Sequence, residues 1–313
     1  MKIVVTGALG HIGSRLIRDL PLSFPGSEIV MVDNMMTQRY CSLFNLPREG
    51  NYRFIEGDIT QMELHPLLEE AHVVIHLAAI TDAAGSFDRA AQLEQNNFNA
   101  TKRVAEACAE RGVRLITLSS TSVYGTQSDL VDEDCTEEEL QPQSPYATTK
   151  LKEERLIQHL AGEKGLKAGI CRFGTIFGAS PGMRFHTAVN KFCWQASMGI
   201  PITVWSTAYD QKRPYLELGD ACKAIAHIIR NELFDGRINN VLTLNATVRA
   251  IVEAIRTFVP TLEVQFVESK IMNQLSYEVS DARFRGTGFL PSGSLSESLA
   301  HELALLSRGP SSN

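Results

Sequence analysis

The stretch Thr6-Gly7-Ala8-Leu9-Gly10-His11-Ile12-Gly13 decides the fold, because its glycines join a strand-like segment, residues 2–6, to an amphipathic run, residues 12–20. Glycines let the backbone turn tightly and approach a ligand closely. The helix that follows offers N–H groups and the positive end of its dipole to a pyrophosphate. A glycine-rich turn that binds nothing has the same spacing. The glycine loop, residues 7–13, therefore predicts a dinucleotide site only in company with other signals.

The second strand-like segment supplies the first of these signals. Residues 28–32 end at Asp33, about 20 residues beyond the last glycine, where a carboxylate accepts hydrogen bonds from the adenine ribose. A carboxylate there repels a 2′-phosphate, so NAD is favoured over NADP. Asp58 follows the third segment, residues 52–56, and is expected beside the adenine. The alternative for Asp33 is an aspartate that only caps the next turn.

Short runs rich in Val, Ile and Leu alternate with helix-length amphipathic runs through the first half of the chain. This alternation predicts an α/β fold, a Rossmann-type doubly wound parallel sheet with a smaller C-terminal substrate lobe. Residues 1–174, with later returns at about 214–245, are expected to form the NAD-binding domain, and residues 175–213 and 246–313 the lobe. The predicted strands are residues 2–6, 28–32, 52–56, 73–77, 114–119 and 167–173, and the predicted helices are residues 12–20, 94–111, 146–161, 220–230 and 295–306.

Composition narrows the class of protein. The 313 residues include 44% hydrophobic and 21% charged residues and carry a net charge of −6, so no basic field for nucleic acid is present. No apolar run reaches the roughly 20 residues that span a bilayer, and no leader peptide is recognisable, so a cytoplasmic protein without a membrane partner is expected. The six cysteines lack ligand-like spacing. We expect them to be reduced, and we predict no metal site.

A second group of residues points to chemistry. Tyr146 and Lys150 are four apart and share one face of a predicted helix, where a lysine ammonium favours the ionised form of a phenol. A Tyr-x-x-x-Lys pair also arises by chance. The functional interpretation of the pair is supported by a second segment, Ser119-Ser120-Thr121-Ser122-Val123-Tyr124-Gly125. This segment lies at the carboxyl end of the fifth strand, which is where open α/β sheets bind ligands.

The order of these motifs along the chain resembles that of the extended short-chain dehydrogenases/reductases. Within that superfamily, it is similar to the NAD-dependent nucleotide-sugar epimerase/dehydratase family. The resemblance covers about the first 180 residues well. It rests on the glycine loop, Asp33, His76-Leu77-Ala78-Ala79, Asn97, the SSTSVYG segment, Pro145-Tyr146-Ala147-Thr148-Thr149-Lys150 and the Arg172 segment.

The resemblance implies roles for individual residues. Ser120, Tyr146 and Lys150 would be catalytic, with Tyr146 as the base and Lys150 also holding the nicotinamide ribose. Asn97 is implied to line the cofactor cleft, although a helix cap is its alternative, and His76 is interpreted as a packing residue. The full set implied to bind NAD is Gly7, Gly10, His11, Ile12, Gly13, Asp33, Asn34, Asp58, Ile59, Leu77, Ala78, Ala79, Asn97, Ser119, Tyr146 and Lys150.

The substrate is expected to be a small molecule, in the family a nucleotide sugar, bound by Ser120, Thr121, Ser122, Thr175 and Arg213. Arg213, in Gln211-Lys212-Arg213-Pro214-Tyr215, resembles the family arginine that grips the diphosphate, and a solvated basic turn is its alternative. Thr175 replaces the usual asparagine of the family and offers fewer hydrogen bonds. This replacement also favours a substrate of another kind.

The segment after Ser120 bears on the reaction. Family members that dehydrate or decarboxylate sugars have a segment similar to Thr-Asp-Glu or Thr-Ser-Glu at the positions of residues 120–122. Their glutamate moves the second proton that elimination requires, and Ser122 in its place cannot do so. The pattern is similar to that of 4-epimerases, in which NAD holds a hydride and returns it to the other face of a keto sugar. An NAD-dependent dehydrogenase or reductase of a keto sugar or small alcohol would use the same residues, and a non-catalytic NAD-binding regulator is a further alternative. A homodimer is expected, formed through residues 94–111 and 146–161.

Overall fold

The protein is described here by a computed structural model that covers residues 1–81, 90–125, 130–268 and 276–307. Runs of Val, Ile and Leu form its buried strands: β1 is buried from Ile3 to its end and β7 along its whole length. In chain order the strands are β1 (Lys2–Thr6), β2 (Glu28–Asp33), β3 (Asn51–Glu56), β4 (Ala71–His76), β5 (Arg114–Ser120), β6 (Leu130–Val131), β7 (Ala168–Phe173), β8 (Thr175–Phe177), β9 (Ile202–Trp205), β10 (Lys212–Glu217), β11 (Asp235–Val241), β12 (Leu244–Thr247), β13 (Val264–Val267) and β14 (Glu278–Val279).

Seven of these strands form one sheet in the order β11-β7-β5-β4-β1-β2-β3, and every neighbouring pair is parallel. The order reverses between β1 and β4, so the carboxyl ends of these strands border a crevice. The six strands predicted from the sequence all belong to this sheet, and the predicted Rossmann-type fold is confirmed. Smaller sheets are formed by β12-β10-β8, β13-β9 and β14-β6.

Helices cover both faces of the large sheet, as expected for βαβ units. The buried clusters on the two faces include Ile17 and Ile225 on one side and Val104 and Ile157 on the other. The helices are α1 (His11–Ser23), α2 (His65–Leu68), α3 (Ala90–Arg111), α4 (Pro145–Lys164), α5 (Ala188–Ser197), α6 (Leu218–Arg230), α7 (Val248–Arg256), α8 (Ala282–Arg285) and α9 (Leu295–Leu306). In the described ranges, none of them combines the length and the apolar character that a bilayer span requires.

Helix α1 continues past the point at which the sequence predicted its end. Pro21 lies inside it, and a proline there removes the N–H that would bond to the carbonyl of Ile17. The Tyr52 hydroxyl donates a hydrogen bond to that carbonyl, at 3.0 Å. A tertiary contact therefore replaces the missing helical bond.

A third core lies outside the large sheet, where α5, α7 and α9 pack together around Phe192, Ile251 and Leu299. The six cysteines are all free; Cys108, Cys171, Cys193 and Cys222 are buried, Cys135 is half-buried and Cys41 is exposed.

One buried acid in this third core predicts a pH-dependent stability. Glu302 on α9 is 0% exposed. Burial is the main cause that raises the pKa of its carboxyl to about 7, and the nearby Cys193 thiol and Gly178 N–H counteract it only in part. Since the ordinary value is 4.5, the native state binds this proton more tightly than the unfolded state does. The protonated Glu302 carboxyl therefore stabilises the fold fully below pH 4.5, and this stabilisation is lost as pH rises through about 7.

Across this window we expect the free energy of unfolding to fall by roughly 3 kcal/mol because of Glu302. Glu302→Gln should remove most of this fall, so the variant should exceed the parent in stability on the alkaline side. Urea unfolding on both sides of the window measures the effect. Glu263→Gln changes an exposed carboxylate and serves as the control. If the free energy of unfolding fell by the same amount with pH in the parent and in Glu302→Gln, the prediction would be wrong.

Candidate active site

The glycine loop follows β1 and begins α1, with Gly10 at the helix N-cap. Gly7 has φ +65°, and a Cβ on it would lie 2.6 Å from the backbone nitrogen of Ala78. A Cβ on Gly13 would lie 2.4 Å from the carbonyl oxygen of Gly7. Two glycines are therefore required by close backbone packing. Their absent side chains let the N-terminus of α1 approach the cleft, where its free N–H groups can bind an anion.

Asp33 ends β2 and faces the same cleft. Its carboxylate accepts hydrogen bonds from the backbone N–H of Leu9 and of Met35, each at 3.0 Å. The turn-capping interaction considered as the alternative is therefore present, and the same carboxylate also fixes the glycine loop. Asp33 lines the cleft as well, so its proposed bond to a ribose is compatible with both contacts.

The loop after β4 forms the opposite wall. Asn97 lies inside α3, where its amide accepts from the N–H of Ile80 and donates to the carbonyl of Ile80, each at 2.8 Å. The helix-cap alternative for Asn97 is therefore wrong, because a residue in the helix interior cannot cap it. Its amide instead mimics a strand partner and holds Leu77, Ala78 and Ala79 along the cleft.

The cleft encloses about 240 Å³. Nine of the residues implied to bind NAD line it: Gly7, Gly10, Asp33, Asn34, Asp58, Ile59, Leu77, Ala78 and Ala79. Sequence reasoning missed other lining residues that lie in loops without a motif, among them Met36, Thr37, Arg39, Asn96 and His186.

The other seven implied residues are not part of this lining, namely His11, Ile12, Gly13, Asn97, Ser119, Tyr146 and Lys150. The His11 ring is buried away from the cleft, with Nδ1 2.9 Å from Ser180 Oγ. Burial, then the charge of Arg184, lowers the pKa of His11 to about 3, so the ring is neutral. Ser119 Oγ at the end of β5 is buried and has no hydrogen-bond partner within the described part of the chain. The orphaned Ser119 hydroxyl, the N–H groups of the glycine loop and the Asp33 carboxylate are a donor and acceptor set that fits a dinucleotide.

Helix α4 positions the Tyr-x-x-x-Lys pair. Ser144 caps it by accepting from the N–H of Ala147, Pro145 occupies its first turn, and Gly165 ends it in the left-handed conformation. Tyr146 is therefore in the first turn and Lys150 one turn later on the same face. The Lys150 Nζ lies 5.9 Å from the centre of the Tyr146 ring, so the ammonium is close enough to stabilise a tyrosinate.

Lys150 is only 6% exposed, and its Nζ donates to Glu153 Oε2 at 2.8 Å. Burial alone would lower the pKa of Lys150. The charges of Glu153 and then Tyr146 outweigh this, and the pKa of Lys150 is raised. Lys150 is therefore a permanent cation at neutral pH.

Ser120 ends β5 and caps a short 3-10 turn, Thr121–Val123. Its Oγ accepts hydrogen bonds from the N–H of Ser122 at 3.2 Å and from Ser122 Oγ at 2.9 Å. The Ser120 hydroxyl is thus held in one orientation, and its own proton is available for a ligand. Tyr124, four residues on, is fixed by its hydroxyl to Asn240 and lies under the Arg172 guanidinium.

A second cavity of about 460 Å³ adjoins this serine. All five residues predicted to contact substrate line it, namely Ser120, Thr121, Ser122, Thr175 and Arg213. Sequence reasoning missed its contributions from distant segments, including Gln143, Lys191, Thr203, Trp205 and Tyr277. These residues carry no motif, so only the fold brings them together.

Arg213 lies on β10, so it is not part of a solvated turn. Its guanidinium stacks over the Tyr277 ring at 5.2 Å and donates to Gln211 Oε1 at 2.8 Å. Thr175 on β8 pairs with Tyr215 on β10, which places Thr175 and Arg213 on the same small sheet. Both residues that bear on the identity of the substrate therefore belong to one wall of the larger cavity.

The two cavities share a wall that is formed by Thr81 and His186. Arg184 donates a hydrogen bond to Thr81 Oγ1 and so fixes one side of this wall. A cofactor in the smaller cavity and a ligand in the larger one would therefore meet at the wall formed by Thr81 and His186.

Known proteins resemble this chain in sequence and in fold. The family model described as "NAD dependent epimerase/dehydratase family" matches residues 3–241. YtcB of Bacillus subtilis, described as an uncharacterized UDP-glucose epimerase, is 29% identical, with 98% of each chain covered. A trifunctional Arabidopsis thaliana enzyme that includes UDP-glucose 4,6-dehydratase is 28% identical; the match covers 99% of this chain and 48% of that enzyme.

Among solved structures, UDP-glucuronic acid 4-epimerase from Bacillus cereus, in complex with UDP-glucuronic acid and NAD, superposes with a TM-score of 0.87. The two sequences are 26% identical, and the match covers 98% of this chain and 99% of that one. With the family match extending over most of the chain, this protein belongs to the NAD-dependent epimerase/dehydratase family, and NAD is its cofactor.

Proposed function

We propose that the chain is a nucleotide-sugar epimerase that inverts C4 of the sugar through a transient keto sugar. The charge of the larger cavity carries this proposal. Its described lining includes the cations Lys191 and Arg213 and no acidic side chain. Such a lining attracts an anionic ligand of the size of a nucleotide diphosphate, and Arg213 would serve as the phosphate donor.

The proposed chemistry uses three side chains. Tyr146 removes the proton of the sugar hydroxyl, and the Lys150 ammonium stabilises the tyrosinate before this step. Ser120 donates a hydrogen bond to the same sugar oxygen, and Ser122 holds Ser120 in place. Bound NAD supplies a reversible store for the hydride. Once the keto sugar has turned over, the hydride held by NAD would return to the opposite face of C4 and Tyr146 returns the proton to the oxygen, so the reaction has no net redox change.

Ser122 supports epimerisation over elimination of water. A dehydratase must move a second proton, which an ionisable carboxyl can do and an unactivated alcohol cannot. In this chain Ser122 Oγ donates to Ser120 Oγ at 2.9 Å, so it acts as an orienting group. The structural similarity to a UDP-glucuronic acid 4-epimerase agrees with this interpretation.

Incubation of the purified, NAD-bound protein with UDP-, GDP-, CDP- and dTDP-sugars tests the proposal. We expect at least one of them to give an isomer of unchanged mass, separable by chromatography, without accumulation of NADH. A product lighter by one water would overturn the argument from Ser122. Stoichiometric NADH would instead identify a dehydrogenase, and bound NAD without any turnover would identify a regulator.

A further inference from the structure

Two adjacent acids on α4 have different cations as partners. Glu154 forms a bidentate pair with Arg172, at 2.8 and 2.7 Å, and the Arg172 guanidinium lies over the Tyr124 ring. Glu153, 3% exposed, has its carboxylate 2.8 Å from the ammonium of Lys150. Glu153 and Lys150 are therefore a buried ion pair inside the site that the proposed function uses.

The position of Glu153 matters because the Lys150 ammonium interacts electrostatically with both Glu153 and Tyr146. The Lys150 Nζ lies 5.9 Å from the centre of the Tyr146 ring and less than half that distance from the Glu153 carboxylate. In a buried site a carboxylate in contact with an ammonium cancels a large part of the potential that the ammonium exerts beyond it. The ion pair also fixes the direction in which the flexible lysine presents its other two N–H donors.

The remaining groups around the pair do not compensate for this effect. From β4, His76 faces Lys150, and burial, then the charge of Lys150, lowers the pKa of His76 to about 3, so its ring is neutral. From α3, Thr101 contributes a neutral hydroxyl, which lies 3.3 Å from His76 Nε2. On α4 itself, Glu154 is neutralised by Arg172. Among these described side chains, the uncompensated charge next to the Tyr146 ring is thus that of the Lys150–Glu153 pair.

We propose that Glu153 is a positioning residue that holds the Lys150 ammonium and moderates its charge, so that it sets the pH at which Tyr146 ionises. This proposal rests on the proposed function, because it takes Tyr146 and Lys150 as the reactive pair. It adds a residue that neither the sequence motif nor the family description assigns.

The test is an absorbance titration of Tyr146 in the NAD-bound protein. The tyrosinate band of Tyr146 is isolated by subtracting the titration of the matching Tyr146→Phe protein. In Glu153→Gln the uncompensated ammonium should lower the ionisation midpoint by about one pH unit. The acid limb of kcat/KM for a nucleotide-sugar substrate should move in the same direction by the same amount.

Glu163→Gln removes the same charge from the exposed last turn of α4 and should leave the midpoint unchanged. If Tyr146 ionised with the same midpoint in Glu153→Gln and in Glu163→Gln, the proposal would be wrong. Should Glu153→Gln not fold, Glu153→Asp withdraws the carboxylate by one methylene and should lower the midpoint by a smaller amount. An unchanged or raised midpoint in Glu153→Asp would also overturn it.

The absorbance titration requires no substrate, so the two proposals can fail separately. If no nucleotide sugar is turned over and the midpoint still falls, the proposed function fails and the role of Glu153 stands. If Tyr146→Phe abolishes turnover and the midpoint does not respond to Glu153, only the role of Glu153 fails.

Discussion

Tyr146→Phe is expected to lower turnover of a nucleotide sugar between about 10²- and 10⁴-fold, while the protein still purifies with NAD. The variant loses only the phenolic oxygen that accepts and returns the proton of the sugar. The ring remains in the first turn of α4, and the glycine loop and Asp33 at the cofactor cleft are unchanged, so binding of the dinucleotide should persist. Product formation by chromatography and NAD content after denaturation measure the two effects.

Tyr40→Phe is the matched control, because it deletes the same hydroxyl from a side chain that is 53% exposed. Its turnover should equal that of the parent. If Tyr146→Phe retained turnover within about threefold of the parent, against the 10² or more expected of a lost general base, Tyr146 would have no part in proton transfer.

Gly13→Ala is expected to abolish tight binding of NAD and to destabilise the fold by about 2–3 kcal/mol. The added Cβ would lie 2.4 Å from the carbonyl oxygen of Gly7 and 2.7 Å from the carbonyl carbon of Ala8. Both are backbone atoms, so the clash is relieved only by moving the glycine loop away from α1. A shift of that kind removes the helix N-terminus from the pyrophosphate, and NAD affinity should fall more than about tenfold.

Gly162→Ala in α4 is the matched control, since nothing lies within 4 Å of its added Cβ. It should leave NAD affinity unchanged and stabilise the protein by up to about 1 kcal/mol, because alanine favours a helix over glycine. Thermal unfolding and calorimetric titration with NAD provide the measurements. Parent-like NAD affinity in Gly13→Ala would show that the loop accommodates a methyl group and would refute the packing argument.

The sequence predicted what local patterns encode. Buried runs such as Ala168–Phe173 predicted the parallel strands, and the spacing of Tyr146 and Lys150 predicted their shared helix face. It did not predict that α1 passes through Pro21, because the compensating hydroxyl comes from Tyr52, 31 positions further along the chain. Contacts of this kind depend on tertiary structure and leave no local pattern.

In the candidate site, the sequence predicted the residues that belong to motifs and missed those that do not. Motif residues such as Asp33 and Ser120 could be assigned to a cofactor or substrate region, because strand ends share one edge of a parallel sheet. Lys191 and Tyr277 could not, since they reach the larger cavity from segments without a motif. Glu153 was also missed, because an acidic residue on a helix is ordinarily solvated, and only its burial beside Lys150 distinguishes it.

The wall formed by Thr81 and His186 has a thermodynamic consequence. Each of these residues faces both cavities, so an occupant on one side can alter the surface offered on the other. Linkage then requires reciprocity: the factor by which NAD changes the affinity for the proposed sugar nucleotide must equal the factor by which that ligand changes the affinity for NAD. The coupling free energy between cofactor and substrate is thus a single quantity, and either ligand can be used to measure it.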